Sequence, residues 1–302
     1  MSILVVGSVA YDTVETPRER RERQLGGSAS YFAVAARRHG PIRVVGVVGD
    51  DFLADDLALL EDNGADLDGV VRATGPSFHW SGRYHLDMIE RDTLLTELGV
   101  FAEFRPDIPA AWQGSEYLFL ANIHPALQRH VLDQMDEPRL VVLDTMNLWI
   151  ETTREDLVEV LSRVDVLLVN EGEARQLTGE RSLQRAATRI QEMGPARVVV
   201  KKGEHGALLF GRDRLLAVPG LILEDVGDPT GSGDSFGGGF VGALAGGGGH
   251  RDSDDALFRQ AMLNATAVAS FCAEDFSVGG LLRMTHTALD NRLERLRSMM
   301  AP

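Results

Sequence analysis

Cysteine is almost absent from this chain of 302 residues, which contains Cys272 alone. A single thiol cannot form a disulfide within the chain, and it fits no zinc-binding spacing. The eight histidines are not paired at the separations that metal sites use either. A chain of this length buries enough surface to fold without a cross-link. The sequence therefore predicts a protein of a reducing compartment, and we expect it in the cytoplasm.

Positive charge is also scarce, with 30 lysine and arginine residues against 45 aspartate and glutamate residues and a net charge of −15. A face that binds nucleic acid needs a basic patch, so this class of partner is not expected. A small anionic ligand is not excluded, because the backbone amides at a helix N-terminus bind phosphate without a charged side chain.

Long apolar runs are missing as well. No stretch approaches the roughly 18 apolar residues that a membrane-spanning helix requires. The first seven residues have no basic start, and their apolar run is too short for a signal peptide. With 44% hydrophobic and 25% charged residues, the composition is that of a globular protein. We expect a soluble protein that does not use a membrane.

Short, continuously apolar runs alternate with segments of helical periodicity along most of the chain. Strands are predicted at 3–6, 44–48, 117–120, 140–143, 164–169, 198–200 and 207–210, and helices at 28–39, 52–63, 125–134, 154–162, 183–193, 234–245, 254–271 and 287–300. Continuous apolar runs are typical of strands buried on both faces. The pattern predicts an α/β fold with a doubly wound, mostly parallel sheet flanked by helices. Residues 78–96 interrupt this alternation of strands and helices. They are interpreted as a small β-flap or as an irregular surface excursion.

Residues 227–240 form a glycine-rich turn that leads into a helix: Gly-Asp-Pro-Thr-Gly-Ser-Gly-Asp-Ser-Phe-Gly-Gly-Gly-Phe. Such a turn aims several N–H groups and the positive end of the helix at one point, which favours an anion. A carboxylate at Asp234, just inside this site, makes sense if it accepts a proton from a hydroxyl that attacks a bound phosphate. The alternative is that Asp234 only caps the helix.

Other glycine motifs fit this segment less well. The dinucleotide fingerprint requires glycine at Phe236, and a phosphate-binding Gly-Lys-Ser/Thr loop is excluded because the only lysines are Lys201 and Lys202. Residues 233–237 do match G-x-S-x-G, with Ser235 as the nucleophile of a serine hydrolase. That serine should follow a strand directly, and this one follows a turn. The hydrolase is kept as an alternative, and so is a non-catalytic protein that senses nucleotides or sugars.

The segment Asp-Pro-Thr-Gly-Ser-Gly-Asp-Ser-Phe resembles the C-terminal motif of the ribokinase-like (PfkB) family of carbohydrate and nucleoside kinases, commonly Asp-Thr-Gly-Ala-Gly-Asp. The resemblance implies that Asp234 is the catalytic base and that Gly231, Ser232 and Gly233 form the anion hole. It further implies ATP and Mg²⁺ as cofactors. Ser232 stands where alanine is usual, a mild change because the backbone N–H binds the anion.

Two N-terminal segments resemble the substrate side of the same family. In residues 7–12, Gly-Ser-Val-Ala-Tyr-Asp, the closing Asp12 would accept hydrogen bonds from substrate hydroxyls at a strand end. Residues 25–33 resemble the family's Gly-Gly-x-x-x-Asn motif, in which Gly26 and Gly27 let the backbone approach the substrate. This chain carries Tyr31 where asparagine is common, which leaves the sugar-hydroxyl pattern open and favours a flat group such as a nucleoside.

Three further segments resemble the nucleotide side. The resemblance assigns Asn170 and Glu173 to Mg²⁺ and the phosphates, with Mg²⁺ bound through water, and Asn170, Lys201, Gly203 and Asn264 to ATP. A helix cap at Asn170 and Glu173, an exposed strand end at Lys201, and helix packing at Asn264 are the structural alternatives. Both lysines of the chain stand together here, as expected if an ammonium meets phosphate.

Together these features predict one ribokinase-like domain over residues 1–302, with a β-lid formed by about 12–25 and 75–104. The predicted reaction is transfer of the γ-phosphoryl group of ATP to a primary hydroxyl of a nucleoside or sugar. The expected partners are these small molecules, and the exposed edge of the lid sheet suggests a homodimer.

Overall fold

The computed structural model describes residues 2–211 and 214–300. Its strands are β1 Ile3–Val6, β2 Ala10–Glu15, β3 Arg20–Gly26, β4 Ile42–Val48, β5 Ala65–Arg72, β6 His79–Tyr84, β7 Arg91–Glu97, β8 Tyr117–Leu120, β9 Leu140–Asp144, β10 Val166–Asn170, β11 Arg197–Lys201, β12 Ala207–Phe210 and β13 Leu215–Val218. Its helices are α1 Ser28–Ala36, α2 Ala54–Asp62, α3 Pro125–Leu132, α4 Asn147–Thr152, α5 Arg154–Leu161, α6 Glu171–Thr178, α7 Leu183–Met193, α8 Ser232–Gly246, α9 Asp255–Cys272, α10 Gly279–Leu282 and α11 His286–Met300.

A large sheet runs through the molecule in the order β13-β12-β11-β10-β9-β8-β1-β4-β5. Its strands from β5 to β11 are parallel, and β12 and β13 are antiparallel to their neighbours. The central strands β1, β8 and β9 are buried throughout because apolar helices cover both faces. One core packs α1, α8 and α9 against the sheet, and a second packs α3, α5 and α7 on the other side. The predicted doubly wound, mostly parallel architecture is confirmed.

A second, smaller sheet has the order β3-β2-β6-β7 and lies outside the large one. Its strands come from residues 10–26 and 79–97, which overlap the segments of about 12–25 and 75–104 that are expected to form a lid. Asp12 lies inside β2 of this sheet and not at a strand end, where the sequence analysis expects it. The chain leaves β1 at Val6 because the next residues turn, and Ser8 there exchanges hydrogen bonds with Ser28 at the start of α1.

Helix α8 lies unusually close to its neighbours because three consecutive glycines occupy its packing faces. A Cβ atom at Gly237 would stand 2.7 Å from the Phe119 ring, and one at Gly239 would stand 3.0 Å from the Ala265 backbone. At Gly238 it would stand 2.5 Å from the carbonyl oxygen of Phe32 in α1. These glycines therefore allow α8 to pack closely against α1, α9 and the sheet, and this packing determines where its N-terminus lies.

Gly238→Ala should test this packing. Although alanine favours a helix, the added methyl group has to push α1 and α8 apart, and we expect the free energy of unfolding to fall by about 1–3 kcal/mol. Gly114→Ala is the control, because a Cβ atom there meets open space. Urea denaturation measures both. Equal midpoints for the two variants would show that the α1–α8 contact can relax.

Candidate active site

Three neighbouring strands of the large sheet end beneath the N-terminus of α8. Asp144, Asn170 and Lys201 are the last residues of β9, β10 and β11, so their side chains emerge at one edge. Lys201 Nζ donates to Asp144 Oδ1 over 2.8 Å, and the two side chains are only 16% and 7% exposed. Burial opposes the ammonium charge, but Asp144 and Glu173 outweigh it and raise the pKa of Lys201. Lys201 is therefore a fixed cation at this edge.

The glycine turn passes between Tyr31 and Lys201. Gly231 has a φ of 75°, and a Cβ atom on it would stand 2.3 Å from the Tyr31 ring, so only glycine fits. A Cβ atom on Gly233 would stand 3.2 Å from Lys201 Nζ, which places the ammonium against the turn. None of the described side chains caps α8, so the amides of its first turn are directed at the same space as Lys201.

Asp234 lies in the first turn of α8, after Gly231 at the cap position, so the structure does not support the alternative in which it caps the helix. Burial, together with the negative charge of Asp144, raises the pKa of Asp234 to about 7, and Lys201 opposes the rise. A carboxylate with this pKa can take up a proton near neutral pH and release it again. That property suits a general base beside an anion site.

On the other side of the turn, Asp12 and two glycines form a close-packed group. A Cβ atom on Gly26 would stand 2.1 Å from Asp12 Oδ2, and one on Gly27, whose φ is 91°, would stand 2.5 Å from the Ser8 carbonyl oxygen. Burial, with the charges of Asp228 and Asp234, raises the pKa of Asp12 to about 7. Both glycines are thus needed to bring the backbone onto this carboxyl group.

Asp228 belongs to the same group, although the sequence analysis gave it no role. It is 1% exposed, and its Oδ1 accepts from the Thr230 amide over 2.9 Å. Its Oδ2 is buried and has no hydrogen-bond partner among the described residues. The buried Tyr31 hydroxyl, which faces Asp12, also lacks a hydrogen bond of normal geometry within that part of the chain. Buried polar atoms without partners are uncommon, and a ligand that carries hydroxyl groups would satisfy these two.

Asn170 and Glu173 are joined in a capping box at the start of α6. The Asn170 side chain accepts from the Glu173 amide over 2.8 Å, and Glu173 Oε2 accepts from the Asn170 amide over 2.7 Å. The helix-cap alternative is therefore what the structure shows for Asn170. Burial raises the pKa of Glu173 to about 7, with Lys201 opposing and Asp144 adding to the rise. One oxygen of Glu173 is used by the cap, and the carboxyl group also faces the Lys201–Asp144 pair.

The described residues contain no cluster of three or more acidic, histidine or cysteine side chains that could hold a metal ion alone. Glu173 beside the anion site fits a different arrangement, in which Mg²⁺ is held mainly by phosphate oxygens and water and a carboxylate is contacted through water. The donor set therefore fits Mg²⁺ as a companion of a bound nucleotide.

Two predicted nucleotide ligands stand apart from this cluster. Gly203, with a φ of 55°, lies in the turn after β11, and its α-carbon faces open space. Asn264 is buried in α9, and its amide nitrogen donates to the Gly239 carbonyl of α8 over 2.7 Å. The structure thus gives Asn264 the helix-packing role that was its alternative and does not bring it to the other site residues.

The small sheet closes the site from above. Tyr84 of β6 is buried, and its hydroxyl accepts from Thr230 Oγ1 over 3.1 Å, next to the glycine turn. Trp80 pairs with Asp12 in the sheet, and its indole lies over Gly82, where a Cβ atom would stand 2.2 Å from the ring. Arg83 points the other way and forms an ion pair with Glu15 at 2.9 Å. Trp80 and Tyr84, but not Arg83, therefore belong to the site.

Two buried side chains close to the turn are not available for chemistry. Ser235, the nucleophile of the hydrolase alternative, is completely buried inside α8, where a substrate cannot reach it. Cys272 is also fully buried, and its thiol donates to the Thr230 carbonyl over 3.3 Å. Burial raises the pKa of Cys272 to about 12, so the thiol stays protonated.

Comparison with known proteins places these residues in a family context. Residues 119–281 match the pfkB family of carbohydrate kinases. The chain is 31% identical over 247 residues to the cytidine kinase of Thermococcus kodakarensis, an alignment that covers 80% of this chain and 87% of that protein. Nothing in these matches supports a serine hydrolase.

Solved structures share the fold. The nucleoside kinase of Burkholderia thailandensis in complex with inosine superposes with a TM-score of 0.78 at 21% identity, covering 98% of this chain and 99% of that one. A ribokinase II from E. coli in complex with ATP and Mg²⁺ also gives 0.78, at 17% identity, covering 97% and 99%. No helix within residues 2–211 and 214–300 is long and apolar enough to cross a membrane.

The raised pKa of Asp234 predicts a cost in stability. An unfolded aspartate ionises near pH 4, whereas folded Asp234 does so at about 7, so its charge disfavours the folded state above pH 7 and ceases to do so as the pH falls toward 4. We expect Asp234→Asn to raise the free energy of unfolding at pH 8.5 by about 1–3 kcal/mol, with a smaller gain at pH 5. Urea denaturation at the two pH values measures it.

Glu294→Gln, at an exposed position on α11, is the matched control and should give no pH-dependent gain. An Asp234→Asn protein no more stable than wild type at pH 8.5 would contradict the electrostatic description of the site.

Proposed function

The chain belongs to the pfkB family of carbohydrate kinases, and we propose that it transfers the γ-phosphoryl group of ATP to a primary hydroxyl group of a nucleoside. Kinase activity toward a sugar or nucleoside hydroxyl follows from the family. The single observation that carries the assignment of residues is the position of Asp234, between the Lys201–Asp144 pair on one side and Asp12 on the other. A base located there lies between an anion site and a hydroxyl-binding site.

The proposed reaction uses the chain's own groups as follows. Asp12 and Asp228 accept hydrogen bonds from acceptor hydroxyls, which orients the attacking oxygen. Asp234 takes the proton of that oxygen as the bond to the γ-phosphorus forms and the bond to ADP breaks. The amides of the 231–233 turn and the Lys201 ammonium stabilise the negative charge on the transferring group.

Nucleotide and metal binding are part of this proposal. Asn170 and Lys201 are the last residues of β10 and β11, and Gly203 lies in the turn that follows Lys201. All three are proposed to face ATP. Glu173 is proposed to hold Mg²⁺ through water. When bound, Mg²⁺ supplies charge neutralisation for the phosphates. Asn264 acts on this side only indirectly, by holding α9 against α8.

The preference for a nucleoside rests on two aromatic side chains. The Tyr31 ring packs on the glycine turn, and the Trp80 ring packs on Gly82, on the face of the small sheet that also carries Asp12. Flat rings beside a hydroxyl-binding carboxylate suit a ligand that joins a sugar to a base. The cytidine kinase and the inosine-bound nucleoside kinase among the similar proteins act on or bind ligands of this class.

The small sheet is proposed to act as a lid and as a contact between two copies of the chain. Its edge strand β7 is exposed along its length, with Leu94 49% and Leu95 39% exposed. An exposed apolar edge strand readily pairs with another strand. Closure of the lid would keep water from replacing the acceptor hydroxyl.

Asp234→Asn tests the base. We expect turnover to fall by about 10²–10⁴-fold, because the amide cannot accept the proton, while nucleotide binding survives. Coupled ADP release measures turnover, and calorimetry measures nucleotide binding. Ser235→Ala, the adjacent buried hydroxyl, should keep activity close to wild type. An Asp234→Asn enzyme with full phosphoryl transfer would remove Asp234 from the mechanism, and loss of activity in Ser235→Ala alone would favour a hydrolase.

A panel of acceptors tests the substrate class. With ATP and Mg²⁺, we expect cytidine, uridine, adenosine or inosine to give kcat/KM at least tenfold above ribose, fructose or 2-dehydro-3-deoxygluconate, because only a nucleoside contacts both the carboxylates and the aromatic rings. Stabilisation of the folded protein by each compound is measured in parallel as a shift in Tm. Turnover of free sugars alone would overturn the nucleoside assignment, and binding without ATP consumption would indicate a sensor.

A further inference from the structure

Two side chains at the carboxyl edge of the large sheet, Asn122 and Trp149, take no part in the proposed reaction. Asn122 lies in the loop after β8, and Trp149 lies in α4, which follows Asp144 at the end of the neighbouring strand β9. Trp149 Nε1 donates to Asn122 Oδ1 over 2.8 Å, and both residues are half-buried. This Asn122–Trp149 pair is therefore ordered and still accessible to a ligand.

The loop that carries Asn122 borders the acceptor side of the site. A Cβ atom on Gly7, directly after β1, would stand 2.7 Å from Ala121 Cβ and 2.7 Å from Ser28 Oγ. Ser28 begins α1, directly after the two glycines that pack beside Asp12. The start of the loop is thus in contact with the backbone that forms the hydroxyl-binding side.

The same loop borders the phosphate side. Gln128, completely buried in α3, donates through Nε2 to the Ala121 carbonyl over 2.8 Å and to the Asp144 carbonyl over 3.3 Å. Asp144 is the ion-pair partner of Lys201. Because β8 lies between β9 and β1 in the sheet, the loop places Asn122 between the two sides of the site.

Hydrogen bonding fixes which way the Asn122 amide faces. An indole N–H can only donate, so Trp149 has to meet the amide oxygen, and the amide nitrogen points elsewhere. Among the described residues nothing accepts from that nitrogen, which leaves its N–H groups for a ligand. The Trp149 ring also contacts the His124 ring edge to face, with centres 5.2 Å apart, and His124 Nδ1 caps α3. The pair thus offers a fixed flat ring and fixed donors.

The geometry points to the Asn122–Trp149 pair as the subsite that binds the base of the acceptor nucleoside. The indole packs against the flat base, and the Asn122 amide donates to a ring nitrogen or a carbonyl oxygen at the edge of the base. This inference rests on the proposed function and deepens it, because it gives the base a place apart from the carboxylates that bind hydroxyl groups. A free sugar has no group for this subsite, so the pair selects between the two classes of acceptor.

Asn122→Asp is the sharpest test, because the new carboxylate still accepts from Trp149 Nε1 but cannot donate to a base. We expect Asn122→Asp and Trp149→Ala each to lower kcat/KM for the best nucleoside among cytidine, uridine, adenosine and inosine by about 10–100-fold. The kcat/KM for ribose and the Kd of a non-hydrolysable ATP analogue should stay within threefold of wild type. Trp149→Phe, which keeps a flat ring, should recover part of the loss.

Leu148→Ala is the matched control, because Leu148 is an exposed neighbour on α4. It should stay within threefold of wild type with every acceptor. An equal loss toward nucleoside and ribose, or a weakened ATP analogue, would mean that the pair only ties α4 to the loop after β8. An Asn122→Asp enzyme with wild-type nucleoside activity would equally overturn the inference.

Failure of the proposed function would look different, as a wild type that phosphorylates ribose but none of the four nucleosides. Calorimetry without ATP then decides on the subsite alone. A nucleoside that binds the wild type, and binds Trp149→Ala at least tenfold more weakly, would support the subsite. If none of the four binds the wild type, the subsite is rejected together with the nucleoside assignment.

Discussion

The site depends on an imbalance of charge held inside the protein. Asp12, Asp144, Glu173, Asp228 and Asp234 converge around one glycine turn, and Lys201 is the buried cation among them. Burial and mutual repulsion hold several of these carboxyls near neutral pKa, so the cluster can exchange protons at physiological pH. The same repulsion disfavours the folded state, and packing elsewhere has to offset it. A cationic or hydroxyl-bearing ligand would relieve it, which couples binding to stability.

Close backbone contacts, which only small residues permit, contribute the packing that opposes this electrostatic destabilisation. Gly237, Gly238 and Gly239 let α8 sink between α1, α9 and the sheet, and Gly231 lets the turn lie flat on Tyr31. The amides of the turn and the carboxyl group of Asp234 are thus held by rigid elements, which is the arrangement that preorganised catalysis requires. The lid, by contrast, contacts the turn through a side-chain hydrogen bond, from Thr230 Oγ1 to the Tyr84 hydroxyl.

Much of this could be predicted from the sequence, and the exceptions have physical causes. The central strands were predictable because burial on both faces leaves continuous apolar runs, and the start of α8 was predictable from its glycine turn. The edge strands β5 and β13 were missed because each is partly exposed and has no such run. The sequence did not separate the two interpretations of Asn264, because a buried amide that joins two helices resembles a ligand-binding one. Asp228 was given no role, because its sequence context does not distinguish it from other residues of a turn and only its burial does.

The lone thiol of the chain provides an intrinsic reporter for the segment that leads into the glycine turn. Cys272 is fully buried, and its thiol donates a hydrogen bond to the Thr230 carbonyl, so lifting the 227–231 loop from α9 would expose the sulfur to a disulfide reagent. The rate of thiol labelling therefore counts the opening of that loop, with no engineered cysteine and no competing site in the chain. A nucleotide that holds the loop closed would slow the labelling. The ratio of the labelling rates without and with nucleotide would then give the free energy by which the nucleotide stabilises the closed loop.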